Sequence, residues 1–241
     1  MIGNFSEYAQ GLWDFARCQR SDGTHYGTAG KCRKGQEVGY DQWDSIAEGN
    51  FGKVSINPEG TRVVKTLKEH QGKKGEFGPY EVELATKMGK LGHSPEIFSS
   101  SADHIEMGLA KGKPLWAGYS KGDDEPVMNA TQAKQAASAI RDLHKMGFYH
   151  GDMHSQQFLA DGDKVQLVDY GLSGKAKDNP RKVIQDLNKI AKLVDWGNPD
   201  LAKDPYVEVV NRYRGKYAEA KGKPAKENEV GLAYLNELES L

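Results

Sequence analysis

Residues 150–174 read HGDMHSQQFLADGDKVQLVDYGLSG, and this stretch decides how the rest of the chain is interpreted. Asp152 stands between a predicted helix and a short apolar run, which places it in a loop. Asp169 follows the apolar residues Val165 to Val168, and Gly171 indicates a turn directly behind it. The pattern therefore predicts two aspartates held in loops, each at the end of a regular element.

These residue types suit phosphoryl transfer, which needs an acid to hold the attacking hydroxyl and oxygen ligands for Mg²⁺. Asp152 is the candidate for the first role. Asp169 can bind Mg²⁺ that bridges the nucleotide phosphates, and the amide oxygen of Gln157 can serve as a second metal ligand.

The same stretch resembles the catalytic and metal-binding loops of the protein-kinase-like superfamily, HxDxxxxN followed by a hydrophobic strand and Asp-aromatic-Gly. The matching residues here are His150-Gly151-Asp152 and Asp169-Tyr170-Gly171. HGD followed by Met153-His154 is closer to RIO-type and aminoglycoside phosphotransferase-like kinases than to conventional protein kinases. The resemblance implies an atypical kinase that uses ATP and Mg²⁺, with His154 supporting the catalytic loop or approaching phosphate.

A second motif lies upstream, where AEGNFGKV resembles the GxGxFGxV nucleotide loop with alanine at the first glycine. Glycines in such a loop let backbone N–H groups approach phosphate oxygens without side-chain obstruction. Taken alone, the stretch is equally compatible with a plain β-turn. The resemblance implies these nucleotide-binding residues: Ala47, Gly49, Asn50, Phe51, Gly52 and Val54.

Lys65, at the end of a predicted strand, resembles the lysine that holds the α- and β-phosphates of ATP. A helix predicted from Pro79 to Lys90 offers Glu81 as its carboxylate partner, with Glu83 in reserve. Glu83 lies about 200° around the helix from Glu81 and is expected to face solvent. The alternative interpretation is that both are solvated helix charges.

Between these motifs, HIEMGLAKGKPL resembles the last strand of a small lobe followed by a hinge. Backbone groups near Glu106 and Gly108 would then bond the adenine edge, the alternative being a buried strand followed by an ordinary loop. Asp186 resembles an aspartate that braces the catalytic loop in related kinases, although a helix-surface carboxylate is the competing interpretation.

The order of elements predicts an α+β chain with a sheet-rich front half and a helix-rich back half, and the resemblance implies a bilobal, protein-kinase-like fold. Residues 43–110 are expected to form a small lobe of antiparallel sheet with one helix, and residues 111–241 a helical lobe. Strands are predicted at DSIAEGN, GKVSI, TRVVKTL, EIFSS, HIEMGLA, YHGD, QFLA and KVQLVDY. Helices are predicted at 131–147, 181–195, 203–220 and 226–240.

Residues 1–42 differ in composition from the rest of the chain and are interpreted as a loop-rich N-terminal extension. Their basic residues indicate a solvated surface or a docking patch for an acidic partner. The net charge of -1 over 241 residues gives no case for general nucleic-acid binding, and no apolar run is long enough to span a membrane. With two cysteines and no signal-peptide pattern, the sequence predicts a cytoplasmic chain.

Two departures from the family pattern leave alternatives open. Gln157 stands where the family has Asn, and only a short segment without an Ala-Pro-Glu motif follows Asp169. Glutamine at position 157 permits a nucleotide-binding pseudokinase or interaction module, and AMP transfer from the same cleft is a further alternative. The short segment after Asp169 argues against a phosphorylation-switched signalling kinase but leaves the acceptor open, either a protein or a small molecule.

Overall fold

The computed structural model describes residues 40–48, 52–70, 73–110, 112–115, 128–189, 201 and 203–241. Its strands are β1 (Asp44–Glu48), β2 (Gly52–Ile56), β3 (Arg62–Leu67), β4 (Glu69–His70), β5 (Lys73–Lys74), β6 (Ile97–Ser100), β7 (His104–Gly108), β8 (Lys113–Pro114), β9 (Phe148–Tyr149), β10 (Phe158–Asp161), β11 (Lys164–Leu167) and β12 (Gly174–Lys175). Its α-helices are α1 (Glu81–Lys90), α2 (Ala130–Lys145), α3 (Arg181–Lys189), α4 (Pro205–Ala220) and α5 (Pro224–Leu238), with short 3₁₀ helices at Tyr40–Gln42 and Ser155–Gln157.

The first half of the described chain forms a five-stranded antiparallel sheet in the order β1-β2-β3-β7-β6. The β2–β3 turn is fixed by Asn57, whose side-chain oxygen accepts from the N–H groups of Thr61 and Arg62, both at 2.8 Å. Such local side-chain bonds are why asparagine favours turns. The turn sets the register that places Lys65 opposite Val54.

Helix α1 is the single helix of this sheet lobe, and its buried face carries Glu81, Leu84 and Met88 at helical spacing. Leu84 and Met88 are fully buried in the same apolar cluster as the helices of the second half. Helix α1 therefore packs between the sheet and the helical lobe, and its first turn lies beside Asp169.

Helix α2 begins at a capping box, in which Asn129 and Gln132 bond each other's backbone N–H. After it, the chain forms the β10–β11 hairpin and then α3, α4 and α5, which contact one another around a large apolar core. The helical lobe is thus built mainly by local helix signals and burial of one face of each helix.

These features confirm the predicted α+β class, an antiparallel sheet lobe with one helix followed by a helical lobe, consistent with a kinase-like bilobal fold. The strand predicted at YHGD differs from the structure, in which β9 ends at Tyr149 and 150–152 form a loop. The N–H groups of His150 and Gly151 in that loop donate to the side chain of Asp186 instead of to a neighbouring strand. The extension predicted at 1–42 lies almost wholly outside the described residues. No helix in the described ranges is both long and apolar enough to cross a bilayer.

Candidate active site

The centre of the site is the amine of Lys65, which joins two carboxylates from distant parts of the chain. Its Nζ lies 2.5 Å from Glu81 Oε1 and 3.2 Å from Asp169 Oδ1. The three side chains are 14%, 7% and 20% exposed, so the cluster is largely shielded yet open on one side. Strand β3 supplies Lys65, helix α1 supplies Glu81, and the loop after β11 supplies Asp169.

Glu81 occupies this position because it lies in the first turn of α1 on the buried face. Its second oxygen, Oε2, accepts a hydrogen bond from the N–H of Gly78 at 3.3 Å, which fixes the carboxylate. Glu83 is exposed and pairs with Lys87 at 2.6 Å along the helix surface. The structure thus brings Glu81 to Lys65 and leaves Glu83 in solvent.

Asp169 is held by an unusual backbone conformation, with φ of 63°, the only positive value at a non-glycine among the described residues. Aspartate tolerates this left-handed region better than most residues. Burial acts to raise the pKa of Asp169, but Lys65, His150 and the N–H of Gly171 together hold the pKa below its ordinary value. The carboxylate is therefore ionised at neutral pH.

Tyr170, next to Asp169, holds the turn that follows β11 through contacts in the interior. It is fully buried, and its hydroxyl lies 2.5 Å from Ser94 Oγ, which also donates to the carbonyl of Leu167 at 2.6 Å. Close packing adds to the constraint, because a Cβ on Gly78 would lie 2.4 Å from the carbonyl oxygen of Gly171. No motif or spacing indicates a role for Ser94 or Gly78, because both act through contacts made only in the folded chain.

The loop that carries Asp152 is organised around buried His150. The N–H of Asp152 faces His150 Nδ1 at 3.4 Å, and His150 Nε2 lies 3.1 Å from the carbonyl of Val168. These partners fit a neutral ring with its hydrogen on Nε2. Burial lowers the pKa of His150, which favours the same neutral form.

Asp186 braces the same loop, as the resemblance implied. Its Oδ2 accepts from the N–H of His150 at 2.7 Å and its Oδ1 from the N–H of Gly151 at 3.1 Å. The side chain is 1% exposed, so it lies in the interior and not on the helix surface.

Asp152 is half-buried and has two side chains against one of its oxygens. His154 Nε2 lies 3.5 Å from Asp152 Oδ2, and Gln157 Nε2 lies 3.4 Å from the same atom. The hydrogen bond from His154 outweighs partial burial and holds the pKa of Asp152 below its ordinary value, with a smaller contribution from the charge of Lys189. Asp152 is thus an ionised carboxylate at neutral pH, available to accept a proton.

The two loops are tied together by the backbone. The N–H of Val168 donates to the carbonyl of Gln157 at 3.0 Å, and His150 reaches the carbonyl of Val168 from the other side. Asp152 and Gln157 therefore share one rigid unit with Asp169, although 17 positions separate the two aspartates in the sequence.

Beside this polar cluster lies a cleft with mainly apolar walls. Val54 and Val63 line it from the sheet lobe, and Leu159 and Leu167 from the β10–β11 hairpin. Lys65, Glu81 and Asp169 stand at one end, and Gly108, Leu109 and Ala110 at another part of the wall. An apolar cleft that also presents a lysine and two carboxylates suits a ligand that has an aromatic ring and an anionic tail. Val54 belongs to the predicted nucleotide loop, whereas the sequence pattern of Val63, Leu159 and Leu167 indicates only buried strand positions.

Other predicted nucleotide-binding residues lie in different surroundings. Ala47 is buried in the small apolar cluster of the sheet lobe with Val54 and Ile56, and is not among the residues that line the cleft. Gly52 has a local reason to be glycine, because a Cβ there would lie 2.6 Å from the carbonyl oxygen of Thr66. Gly49, Asn50 and Phe51 fall outside the described residues.

Glu106 lies in the interior strand β7, paired with β3 on one side and β6 on the other. Its side chain points away from the cleft and accepts from Arg62 at 2.9 Å and Ser99 at 3.2 Å. The part of the hinge that lines the cleft is therefore Gly108–Ala110. Among the described residues, the N–H and C=O of Ala110 make no backbone hydrogen bond.

A site for a divalent cation needs suitable ligand atoms among the side chains around it. No group of three or more His, Cys, Asp or Glu side chains able to hold a metal is found in the described part of the chain. Mg²⁺, however, usually keeps several waters and takes only one or two protein oxygens together with phosphates. An ionised Asp169 at the open side of the cluster, with the buried Gln157 on the adjoining loop, fits that modest requirement.

The chain has partial similarity to known proteins. No known protein-family profile matches the chain. The chain is 32% identical over 109 residues to a probable bifunctional tRNA threonylcarbamoyladenosine biosynthesis protein of Methanocorpusculum labreanum (strain ATCC 43576 / DSM 4855 / Z). The match covers 44% of this chain and 20% of that protein, so the chain spans about a fifth of its relative's length.

Among solved structures, the Cydia pomonella granulovirus kinase PK-1 aligns with a TM-score of 0.40 and 18% identity, over 56% of this chain and 53% of that one. A likeness at this level carries no inference about activity. The likeness depends instead on the site: Lys65 paired with Glu81, an Asp-Tyr-Gly turn at the same cleft, and an HGD loop tied to that turn through the carbonyl of Val168. These features, with the partial similarity to the Methanocorpusculum labreanum protein, support a likeness to atypical protein-kinase-like proteins.

Proposed function

We propose that the chain is an ATP- and Mg²⁺-dependent phosphotransferase that moves the γ-phosphoryl group to a hydroxyl acceptor. One observation carries the proposal: the Lys65 amine bonds both Glu81, at 2.5 Å, and Asp169, at 3.2 Å, at the end of an apolar cleft. In kinases, the lysine–glutamate pair and the metal-binding aspartate must both be in place before transfer occurs.

The cleft would hold the nucleotide through two kinds of contact. Its apolar walls, including Val63 and Leu159, would sandwich the adenine ring, and the peptide groups of Ala110 would bond the edge of the ring. Lys65 would then stand near the α- and β-phosphates, its charge held in position by Glu81. The acceptor hydroxyl would approach from the side of Asp152.

Asp169, with Gln157, would hold Mg²⁺, which when bound neutralises charge on the phosphate oxygens. Asp152 would accept a hydrogen bond from the acceptor hydroxyl, orient it and take its proton during transfer. His154 and Gln157 hold the Asp152 carboxylate in one orientation, and its low pKa keeps it ionised for this role.

The test is transfer of label from γ-labelled ATP with Mg²⁺, to the chain itself, to candidate proteins and to small hydroxyl compounds. The first acceptors to assay come from tRNA threonylcarbamoyladenosine biosynthesis, the process that the archaeal relative's description names. Asp169→Ala is expected to lower turnover by about 10³-fold or more, because the charge that holds the metal is lost.

The matched control is Asp161→Ala, which removes an exposed aspartate at the tip of the β10–β11 hairpin. It is expected to transfer label as the unmodified protein does. Equal background labelling by the unmodified protein and Asp169→Ala, on every acceptor, would overturn the proposal.

A nucleotide-binding module without transfer activity is the second candidate function. The observation that favours it is Gln157, whose amide nitrogen faces Asp152 and His154 and whose side chain is one methylene longer than the family's asparagine. Thermal stabilisation by ATP without any product would identify such a module. Mass spectrometry of the acceptor separates phosphoryl transfer from AMP transfer, since the two additions differ in mass.

A further inference from the structure

A line of buried polar side chains continues behind Asp186, away from the cleft. His144, on α2, directs Nε2 towards Asp186 Oδ2 at 3.6 Å. The other ring nitrogen, Nδ1, lies 2.9 Å from the hydroxyl of Tyr234, on α5. That hydroxyl is 3.3 Å from the hydroxyl of Tyr206, on α4. We call Asp186, His144, Tyr234 and Tyr206 the buried polar network.

The network is enclosed by protein on all sides. The side chains of His144 and Asp186 are 0% and 1% exposed, and Tyr234 and Tyr206 are 0% and 2% exposed. Burying this many polar atoms is unfavourable unless each has a partner, so a line of them across four helices needs an explanation.

Within the buried polar network, two contacts bear on the orientation of the His144 ring. Its Nε2 has no hydrogen-bond partner within 3.5 Å in the described structure, and only the Asp186 carboxylate stands against it as an ion-pair contact. The contact from Nδ1 to Tyr234 is therefore what fixes the plane of the ring. Without the Tyr234 hydroxyl, Nδ1 would be a buried nitrogen with no partner, and the ring would be free to turn away from Asp186.

Asp186 in turn holds the N–H groups of His150 and Gly151, immediately before Asp152. Resting on the phosphotransferase function proposed above, we infer that Tyr234 is a positioning residue for the catalytic loop. It acts through His144 and Asp186 and does not touch the nucleotide or the acceptor. The last helix of the chain, 82 positions after Asp152, thereby contributes to the placement of the Asp152 carboxylate.

The first test needs no catalysis. Tyr234→Phe keeps the ring and removes only the hydroxyl. Amide hydrogen exchange at His150 and Gly151 is expected to become about tenfold faster in this variant, beyond any change at Val54 and Val64 in the sheet lobe. Exchange at His150 and Gly151 that changes no more than at those sheet amides would overturn the inference.

The second test uses the transfer assay. Tyr234→Phe is expected to lower kcat about three- to tenfold, the size expected for one hydrogen bond, with KM for ATP unchanged. Loss of helix packing alone would instead reduce the fraction of folded protein and leave the kcat of that fraction unchanged. Unchanged kcat per folded molecule in Tyr234→Phe would contradict a positioning role.

The matched control is Tyr213→Phe. Tyr213 packs against Tyr234 with ring centroids 5.8 Å apart, but its hydroxyl bonds Glu237 at 2.9 Å, outside the network. It should change neither exchange at His150 and Gly151 nor kcat. His144→Gln, which can still direct an N–H at Asp186, should retain more activity than His144→Ala, and equal loss in both would count against the role of His144.

If the unmodified protein shows no transfer to any acceptor, the proposed function fails, while amide exchange still decides whether the network holds the loop. If transfer is present and Tyr234→Phe matches Tyr213→Phe in both measurements, the inference fails and the proposed function stands.

Discussion

The cleft and the interior of the helical lobe each contain aspartates with fixed partners, but the partners differ in kind. Asp169 and Asp152 keep 20% and 21% of their side chains exposed and face a lysine, a histidine and a glutamine. Asp186 is 1% exposed, and its two oxygens are taken up by backbone N–H groups. An aspartate that binds a substrate or a metal must keep oxygen atoms free, whereas one that braces a loop must not. The comparison predicts different consequences for removing the same charge in the two places.

The largest effect is expected at Asp152. Asp152→Asn should lower kcat by about 10²- to 10⁴-fold, the range typical of a lost general base. The thermal unfolding midpoint should change little, because this side chain is only half-buried and makes few contacts. Steady-state kinetics and calorimetry on one preparation check both, with Asp161→Asn as the control. A variant with kcat within threefold of the unmodified protein would remove Asp152 from the mechanism.

Next in size is the pair Glu81 and Glu83, which lie on opposite sides of α1. Glu81→Gln should lower kcat/KM for ATP by roughly 10- to 100-fold, because Lys65 loses the charge that positions it. Glu83→Gln, which breaks only a surface pair with Lys87, should stay within about twofold. Similar losses in the two variants would show that α1 contributes general stability and not a specific pair.

For Asp186 the comparison predicts a loss of stability together with a loss of activity. Asp186→Asn leaves one acceptor oxygen for two N–H groups, so the free energy of unfolding should fall by about 1.5–3 kcal/mol. The kcat of the folded fraction should fall about tenfold as the loop loosens. Urea titration monitored alongside transfer separates the two. A change in kcat with no change in the urea midpoint would place Asp186 with the cleft aspartates.

The smallest expected effect is the pH dependence of stability due to His150. Burial lowers its pKa in the folded chain below the ordinary value of 6.5, so as pH falls the unfolded chain takes up this proton first. The contribution of His150 to stability is therefore complete above pH 6.5 and declines below it, by at most about 1.4 kcal/mol per pH unit. Unfolding curves between pH 7.5 and 5.5 check this, and His150→Asn should flatten the profile. Identical slopes in both proteins would contradict the assignment.

Much of the fold could be predicted from the sequence because its signals are local. The β2 boundaries at Gly52 and Ile56 match the predicted run GKVSI, and the apolar spacing of α1 identified the face that carries Glu81. The helix predicted from residue 131 begins at Ala130 in the structure, directly after its Asn129 cap. Each depends on residues within one or two turns of one another, where side-chain type and spacing act directly on the backbone.

The candidate site was predictable in part. The motifs identified Lys65, Glu81, Asp152 and Asp169 as candidates. They also predicted adenine-binding backbone groups near Glu106 and Gly108, which stays a prediction. Of these two residues, Gly108 lines the cleft, whereas Glu106 lies inside the sheet between β3 and β6 and its side chain accepts from Arg62. Gly52 likewise has a reason for being glycine, its close approach to Thr66, that no loop motif contains.

By itself, the sequence determined the order of elements, the carboxylates and the amine that can do chemistry, and the atypical HGD loop. Only the tertiary structure decided which carboxylate meets Lys65, which hinge residues line the cleft, and that Tyr234 lies against His144, 90 positions away. The physical reason is that propensity and periodicity act over a few residues. The partner of a buried polar atom is chosen instead by how whole helices pack, and several distant residues could fill that place until the core closes.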